Sequence, residues 1–195
     1  MTNTAIIILA AGQSARLGSP KQLLRYRGKT LLQHTVEEAL DSGAAVVGVV
    51  IGAFATEVSD ALNTPKVEII TNMHWEQGKG TGIATGVRHV LDKHPDIAQF
   101  ILAVCDQPFI SASLFRQLHQ EQQESGKGIV ASAYAGTLGT PVLLTRKYVG
   151  PLLHLEKDAG AKQIIQAYQD DVAAVDFPLG HIDIDTREDY EGLLG

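Results

Sequence analysis

Short runs of β-branched and aliphatic residues alternate with stretches of helical spacing along this chain. Thr4–Leu9 reads as a first strand, and Ala45–Ile51, almost wholly apolar, as a second whose two faces are both covered. Between them Leu32, Val36, Ala39 and Leu40 fall on one face of a helix over Leu31–Ser42. The same reasoning predicts a helix at Phe54–Leu62, a strand at Val67–Thr71, a helix at Gly80–Lys93 and a buried strand at Phe100–Cys105. Ser111 is placed to cap a helix running to about Ser125. Strands at Gly128–Tyr134 and Pro141–Leu144, a helix at Ala159–Tyr168 and short strands at Val172–Val175 and Ile182–Ile184 follow. Thr186 and Asp189 have capping-box spacing for a last helix. Strand–helix alternation at the front predicts an α/β fold: three layers, doubly wound around a mostly parallel, Rossmann-like sheet. Ligands of such sheets lie beyond the carboxyl ends of the strands, so the loops after Leu9, Thr71 and Cys105 should meet at one crevice.

The chain has 195 residues, which suits a single domain over 1–195. Its 45% hydrophobic and 19% charged residues are those of an ordinary globular chain. No apolar run reaches the ~20 residues a membrane helix needs, so no membrane partner is expected. The apolar run after Thr4 is short and closes on a glycine loop, which favours a strand over a signal peptide. Cys105 is the single cysteine, which excludes an intrachain disulfide and fits a cytoplasmic location. The net charge of −6 argues against nucleic acid as a partner. Charge is unevenly spread, however. Met1 to Val36 contains no Asp or Glu but holds Arg16, Lys21, Arg25, Arg27 and Lys29. A basic stretch on an acidic chain points to a local anion site.

The residues after the first strand give that site a shape: Leu9-Ala10-Ala11-Gly12-Gln13-Ser14-Ala15-Arg16-Leu17-Gly18-Ser19-Pro20-Lys21. Ala10, Ala11 and Gly12 let backbone approach a ligand closely, and successive free N–H groups form a nest for phosphate oxygens. Ser14 offers a hydroxyl, Arg16 a planar fork and Lys21 a compact charge. Two other phosphate loops are excluded. A Walker A loop needs Lys and Ser or Thr after its second glycine, whereas Gly18 precedes Ser19-Pro20, and a dinucleotide fingerprint needs glycine where Ser14 stands. The competing explanation is a plain βα turn with incidental cations.

Further pieces follow in chain order. Asn72 to Gly82 forms a glycine-rich entry to a helix, with Gly78 and Gly80 open to close backbone approach. Asp106 stands at the tip of a buried strand, where a carboxylate needs a partner or a cation. Mg²⁺ favours one or two carboxylates together with substrate phosphates. Asp183 and Asp185 share a face if Ile182–Ile184 is a strand. Asp183 is the favoured second ligand, because Asp185 or Thr186 is a candidate helix cap. Cys105 reads as core rather than nucleophile. The seven histidines show no zinc-ligand spacing.

The loop resembles the signature of the MobA-like nucleotidyltransferases, and most of all that of the molybdenum cofactor cytidylyltransferases: Leu-Ala-Ala-Gly-x-Ser-x-Arg-Met-Gly-x-x-Lys, with Leu17 in place of Met. Asn72, Trp75 and Gly78 are similar to the family's Asn-x-x-Trp-x-x-Gly segment beside the base and ribose, with Gly82 where Ser is usual. Cys105-Asp106-Gln107-Pro108 resembles the family's metal-holding stretch, and Asp183-Ile184-Asp185-Thr186 its C-terminal one. Gly139-Thr140-Pro141 and Lys157-Asp158-Ala159-Gly160-Ala161-Lys162 are similar to two acceptor-side motifs, with lysines at 157 and 162 as departures. The resemblance implies a nucleotide part over about 1–110 and an acceptor part over about 111–195. It implies a nucleotide contact set of Leu9, Ala10, Ala11, Gly12, Ser14, Arg16, Lys21, Asn72, Gly78 and Thr81. Arg16, Lys21 and Asp106 would be catalytic, and Mg²⁺ would sit on Asp106 and Asp183. Guanylyl-transferring relatives typically carry Gly at the position of Ala11, so the resemblance implies CTP over GTP. The acceptor is then a small phosphorylated molecule, molybdopterin, and a molybdoenzyme or its chaperone would receive the product. Rival readings are another cytidylyl- or sugar-phosphate nucleotidyltransferase, or a nucleotide-binding regulatory module without turnover.

Overall fold

The computed structural model of the chain describes every residue except Ala15, Asn63 and Lys157; Ala15 of the glycine-rich loop and Lys157 of the second acceptor-side stretch therefore lie outside the described residues. Seven strands form the central sheet: β1 (Thr4–Leu9), β4 (Val46–Ile51), β5 (Glu68–Thr71), β6 (Gln99–Val104), β7 (Ile129–Tyr134), β8 (Thr137–Thr145) and β9 (Val172–Asp176). Their spatial order is β5-β4-β1-β6-β8-β7-β9. A separate two-stranded ribbon joins β2 (Arg25–Tyr26) to β3 (Lys29–Thr30). All pairings of the main sheet are parallel except those of β8, which runs antiparallel to both β6 and β7.

Alternation along each strand sends side chains to two cores. In β1, Ile6 and Ile8 pack with Leu32, Val36 and Ala39 of α1 (Leu31–Asp41), Val58 of α2 (Ala55–Leu62) and Phe115 and Leu118 of α4 (Ala112–Ser125). Ala5 and Ile7 face the other way, onto Ile83, Val87 and Val90 of α3 (Lys79–Lys93), Leu152 of α5 (Val149–Leu153) and Ile164 and Ile165 of α6 (Ala161–Ala167). Each fully buried Ile or Leu contributes on the order of 2 kcal/mol by leaving water. This sandwich fixes β1 in the interior of the sheet, between β4 and β6, and hence the origin of the loop that follows it.

The helix starts are chemically marked. Thr30 caps α1 in a capping box with Gln33, Ser111 caps α4, and Thr186 with Asp189 forms the box that opens α7 (Arg187–Leu194). Two expectations need correction. Ile182–Ile184 is not a strand; the Ile182 N–H donates to the Leu179 carbonyl at 3.1 Å and the Ile184 N–H to the Asp106 carbonyl at 3.0 Å. The strand expected at Pro141–Leu144 begins at Thr137, because a register shift between Ala131 and Ser132 absorbs Thr140 and Pro141 as a bulge, where proline's missing donor is tolerated. The β2–β3 ribbon and α5 carry no periodic signal. Among the described residues, no helix is long and apolar enough to cross a membrane.

Candidate active site

The loops after β1, β5 and β6 meet beyond the carboxyl ends of their strands. They line a cleft of about 310 Å³ that includes Ala11, Gly12, Lys21, Trp75, Asp106 and Asp183. A second cavity of about 360 Å³ adjoins it, sharing Lys79, Val104, Asp106 and Asp183 and extending to Tyr134, Thr140 and Gly180. A larger hollow of about 820 Å³ lies between the β7–β8 hairpin, α6 and β9, meeting the second cavity at Tyr134, Ala135 and Thr137. It lacks the convergence of cations and carboxylates found in the cleft, so chemistry and not size selects the site.

The glycine-rich loop leaves β1 with the Ala10 N–H bonded to Val50 and the Ala11 carbonyl to Ala53. Among the described residues, the N–H groups of Ala11, Gly12, Gln13 and Ser14 donate to no protein acceptor, which leaves them for an anion. The loop is tied from behind. Gln22, buried at 1% exposure, donates from Nε2 to the carbonyls of Ala10 at 2.8 Å and Gly12 at 2.9 Å. Ser14, with a left-handed φ of 50°, accepts the Lys21 N–H on its Oγ at 3.0 Å. The Ser14 hydroxyl therefore braces the loop and does not line the cleft. Gln22 is a residue that sequence reasoning misses, since a glutamine after a lysine has no signature. Replacing Gln22 by leucine strands two carbonyls in a buried setting. The expected cost is about 2 kcal/mol, or a fall in Tm of about 6 °C, read by thermal unfolding.

Four charged side chains converge at the mouth. Lys21 Nζ donates to Asp106 Oδ2 at 2.5 Å and to Asp185 Oδ1 at 2.8 Å, while Arg16 donates to Asp185 Oδ2 at 2.6 Å. The Lys21 and Asp106 side chains are only 16% and 17% exposed, whereas Arg16 is 67% exposed. Burial by itself lowers the Lys21 pKa, but the charges and hydrogen bonds of Asp106 and Asp185 more than reverse this, and the ammonium is held well above its ordinary range. Asp185 is held below the usual carboxylate range, first by its hydrogen bond from Lys21. Asp183 moves the other way: partial burial, then the charges of Asp185 and Asp106, push its carboxyl up. Among the described residues Asp183 makes no ion pair.

Asp106 and Asp183 thus both border the cleft and the second cavity, Asp106 paired with Lys21 and Asp183 crowded by the charges of Asp185 and Asp106. The carboxylate of Asp185 is occupied by cations, and the capping of α7 falls to Thr186. No group of three or more His, Cys, Asp or Glu caging a metal occurs among the described residues. Two carboxylates with room for phosphate oxygens and water suit Mg²⁺ or Mn²⁺ and do not suit a closed protein cage.

The 72–81 turn is held by its own side chains. Asn72, buried, donates to Thr81 Oγ1 at 2.9 Å and accepts the His74 N–H at 3.0 Å, and Thr81 Oγ1 lies 2.8 Å from the Gly78 carbonyl. Asn72 and Gly78 border the cleft, while Thr81 sits behind it. Gly78 has φ 116°, a conformation that side chains avoid. A Cβ on Gly80 would stand 2.3 Å from the Glu156 carbonyl, so the close approach expected at Gly80 is to the chain's own backbone. Lys79, exposed at the start of α3, borders both cavities and is a second site residue that sequence reasoning misses. Gln107 is buried, donates to the Gly180 carbonyl at 2.7 Å and walls the second cavity. Of the acceptor-side residues, Thr140 borders that cavity, while Lys162 lines the larger hollow.

Cys105 is buried, and desolvation first, then Asp106, push its thiol up to about 12. Its proton is retained far above the ordinary range, so stability linked to it falls as pH rises from about 8.5 toward that value. Iodoacetamide at pH 8.5 is expected to label native protein at least roughly a hundredfold more slowly than unfolded protein.

Comparison with known proteins decides the family. Residues 6–172 match the MobA-like NTP transferase domain. The chain belongs to the MobA-like NTP transferase family. As a member of this nucleotidyltransferase family it is similar to the "Probable molybdenum cofactor guanylyltransferase" of Bacillus cytotoxicus, 22% identical over 100% of the chain and 98% of that protein. It is also similar to the nicotine blue oxidoreductase of Paenarthrobacter nicotinovorans, 33% identical over 72% of the chain and 66% of that protein's length. Among solved structures, the Mycobacterium tuberculosis protein Rv0371c covers 99% of this MobA-like chain and 97% of its own, with 30% identity and a TM-score of 0.83. Its manganese complex superposes at a TM-score of 0.80 with 27% identity, covering 99% of the chain and 98% of its own.

Proposed function

We propose that the protein transfers CMP from CTP to the phosphate of an acceptor, molybdopterin, with release of pyrophosphate. The observation that carries this is the meeting of Lys21 and Asp106 across one cleft, beneath a loop with free N–H groups. Nucleotidyl transfer needs little covalent help from the protein, because the acceptor phosphate is already largely dianionic at neutral pH. The barrier is alignment and the repulsion of one anion by another. The loop amides cradle the triphosphate, and Lys21 and Arg16 stabilise charge on the α-phosphate and the departing pyrophosphate. Asp106 and Asp183 would hold Mg²⁺, which when bound supplies charge neutralisation at the triphosphate. Residues of about 1–110 serve the nucleotide and those of about 111–195 the acceptor, which would enter through the second cavity. The resemblance of the loop, with Ala11 where guanylyl-transferring relatives typically carry Gly, is what supports CTP over GTP. Action in the cytoplasm and delivery of product to a molybdoenzyme or its chaperone belong to the same proposal.

The test is pyrophosphate release from CTP, GTP and UTP with Mg²⁺ and molybdopterin. CTP is expected to be preferred. A preference for GTP would move the chain to guanylyl transfer. The name of the Paenarthrobacter nicotinovorans relative favours a second reading, redox catalysis on the same scaffold. Redox turnover of nicotine blue without pyrophosphate release from any triphosphate would support that reading over ours.

A further inference from the structure

Lys21 is not a loose surface cation. Its backbone N–H is fixed to Ser14, the neighbouring Gln22 is anchored in the loop, and its ammonium is shared between Asp106 and Asp185. Asp106 is thereby offered to two cations, the lysine that touches it and the divalent ion assigned to it above. An ammonium 2.5 Å from a carboxylate oxygen satisfies that oxygen and repels a second positive charge approaching it. The other charges around this point are Arg16 on Asp185, the crowded carboxylate of Asp183 and the exposed Lys79. None of these replaces Lys21 on Asp106. The lysine side chain has four rotatable bonds on a fixed backbone, so it can leave the carboxylate when other oxygens take its charge. Triphosphate oxygens cradled by the loop are such acceptors.

We propose that Lys21 guards Asp106 against free divalent cations and yields that carboxylate when a triphosphate draws its ammonium away. This inference rests on the reading of Asp106 as the cation-holding residue.

The experiment is a titration with MnCl₂ alone, without nucleotide, at pH 7.5, followed by electron paramagnetic resonance of free Mn²⁺. Wild type, Lys21→Met, Lys21→Arg and Lys21→Met/Asp106→Asn are compared, each checked for folding by circular dichroism. Lys21→Gln replaces Lys21→Met if the latter fails to fold. Lys21→Met is expected to bind Mn²⁺ at least tenfold more tightly than wild type, Lys21→Arg to resemble wild type, and the double variant to lose the gain. Equal or weaker binding by Lys21→Met, or no measurable binding by either protein, overturns the guard role and leaves the nucleotidyl-transfer reading standing. A gain that survives Asp106→Asn overturns both the guard role and the assignment of the cation to Asp106.

Discussion

Asp106→Asn is expected to lower turnover in the pyrophosphate-release assay at least a hundredfold, roughly 3 kcal/mol of transition-state stabilisation, while the protein stays folded. The two halves of that expectation come from different atoms. The backbone carbonyl of Asp106 accepts the Ile184 N–H and keeps the C-terminal segment in place, and asparagine retains it. The carboxylate borders both cavities and carries the charge that a divalent cation would bind. An amide keeps the size and loses the charge. Circular dichroism and a melting curve near wild type, together with the lost turnover, would locate the defect in chemistry. Turnover within a few-fold of wild type would show that Asp106 is not needed for charge stabilisation.

The second large effect is expected at Lys21. Lys21→Ala removes a cleft cation that is mostly shielded from water, a setting in which a charge counts for more than on the surface. A loss of about a hundredfold in kcat/KM for CTP is expected, since such donors act on charge developing in the transition state. Arg16 cannot substitute, because it is largely exposed and its contribution is screened. Arg16→Ala is therefore the milder variant, and the ratio of the two losses measures how much shielding from solvent matters. Equal losses, or a loss confined to Arg16→Ala, would reverse the roles assigned to the two residues. Steady-state kinetics with CTP varied at a saturating acceptor concentration reads this directly.

Much of this site is legible in the sequence because its chemistry sits in contiguous, short-range patterns. Ala10 to Gly12 after a buried strand, cations without neighbouring acids, and Asp106 at a strand end each carry a local physical reason. The rest depends on how side chains and backbone meet in space, which residue order alone does not show. Gln22 matters because two carbonyls twelve and ten residues earlier fold over its amide. From the sequence, Asp185 reads as a candidate cap of the last helix, or as a ligand that shares a strand face with Asp183. Its segment is instead pinned by the bond from Ile184 to Asp106, and its carboxylate meets Arg16 and Lys21. Thr81 and Ser14 look like hydroxyl donors to a ligand, yet both are spent on their own turns.

At the level of the fold, the parallel strands are evident from their continuous apolar character. Two-residue strands such as Arg25–Tyr26 are too short for any periodicity to register. The start of β8 is hidden because Gly139 and Pro141 read as punctuation, whereas pairing with Tyr134 at the hairpin end extends the strand past them.

The central claim is that the triphosphate and its cation meet between the loop of residues 10–21 and Asp106. A crystal structure with a non-hydrolysable CTP analogue and Mn²⁺, read for the anomalous signal of the metal, measures this directly. The prediction is a metal peak on the Asp106 carboxylate, with phosphate oxygens on the amides of Ala11 to Ser14 and near Lys21. Nucleotide and metal lodged together in the larger hollow beside β9, with the Asp106 cleft holding neither, would contradict it.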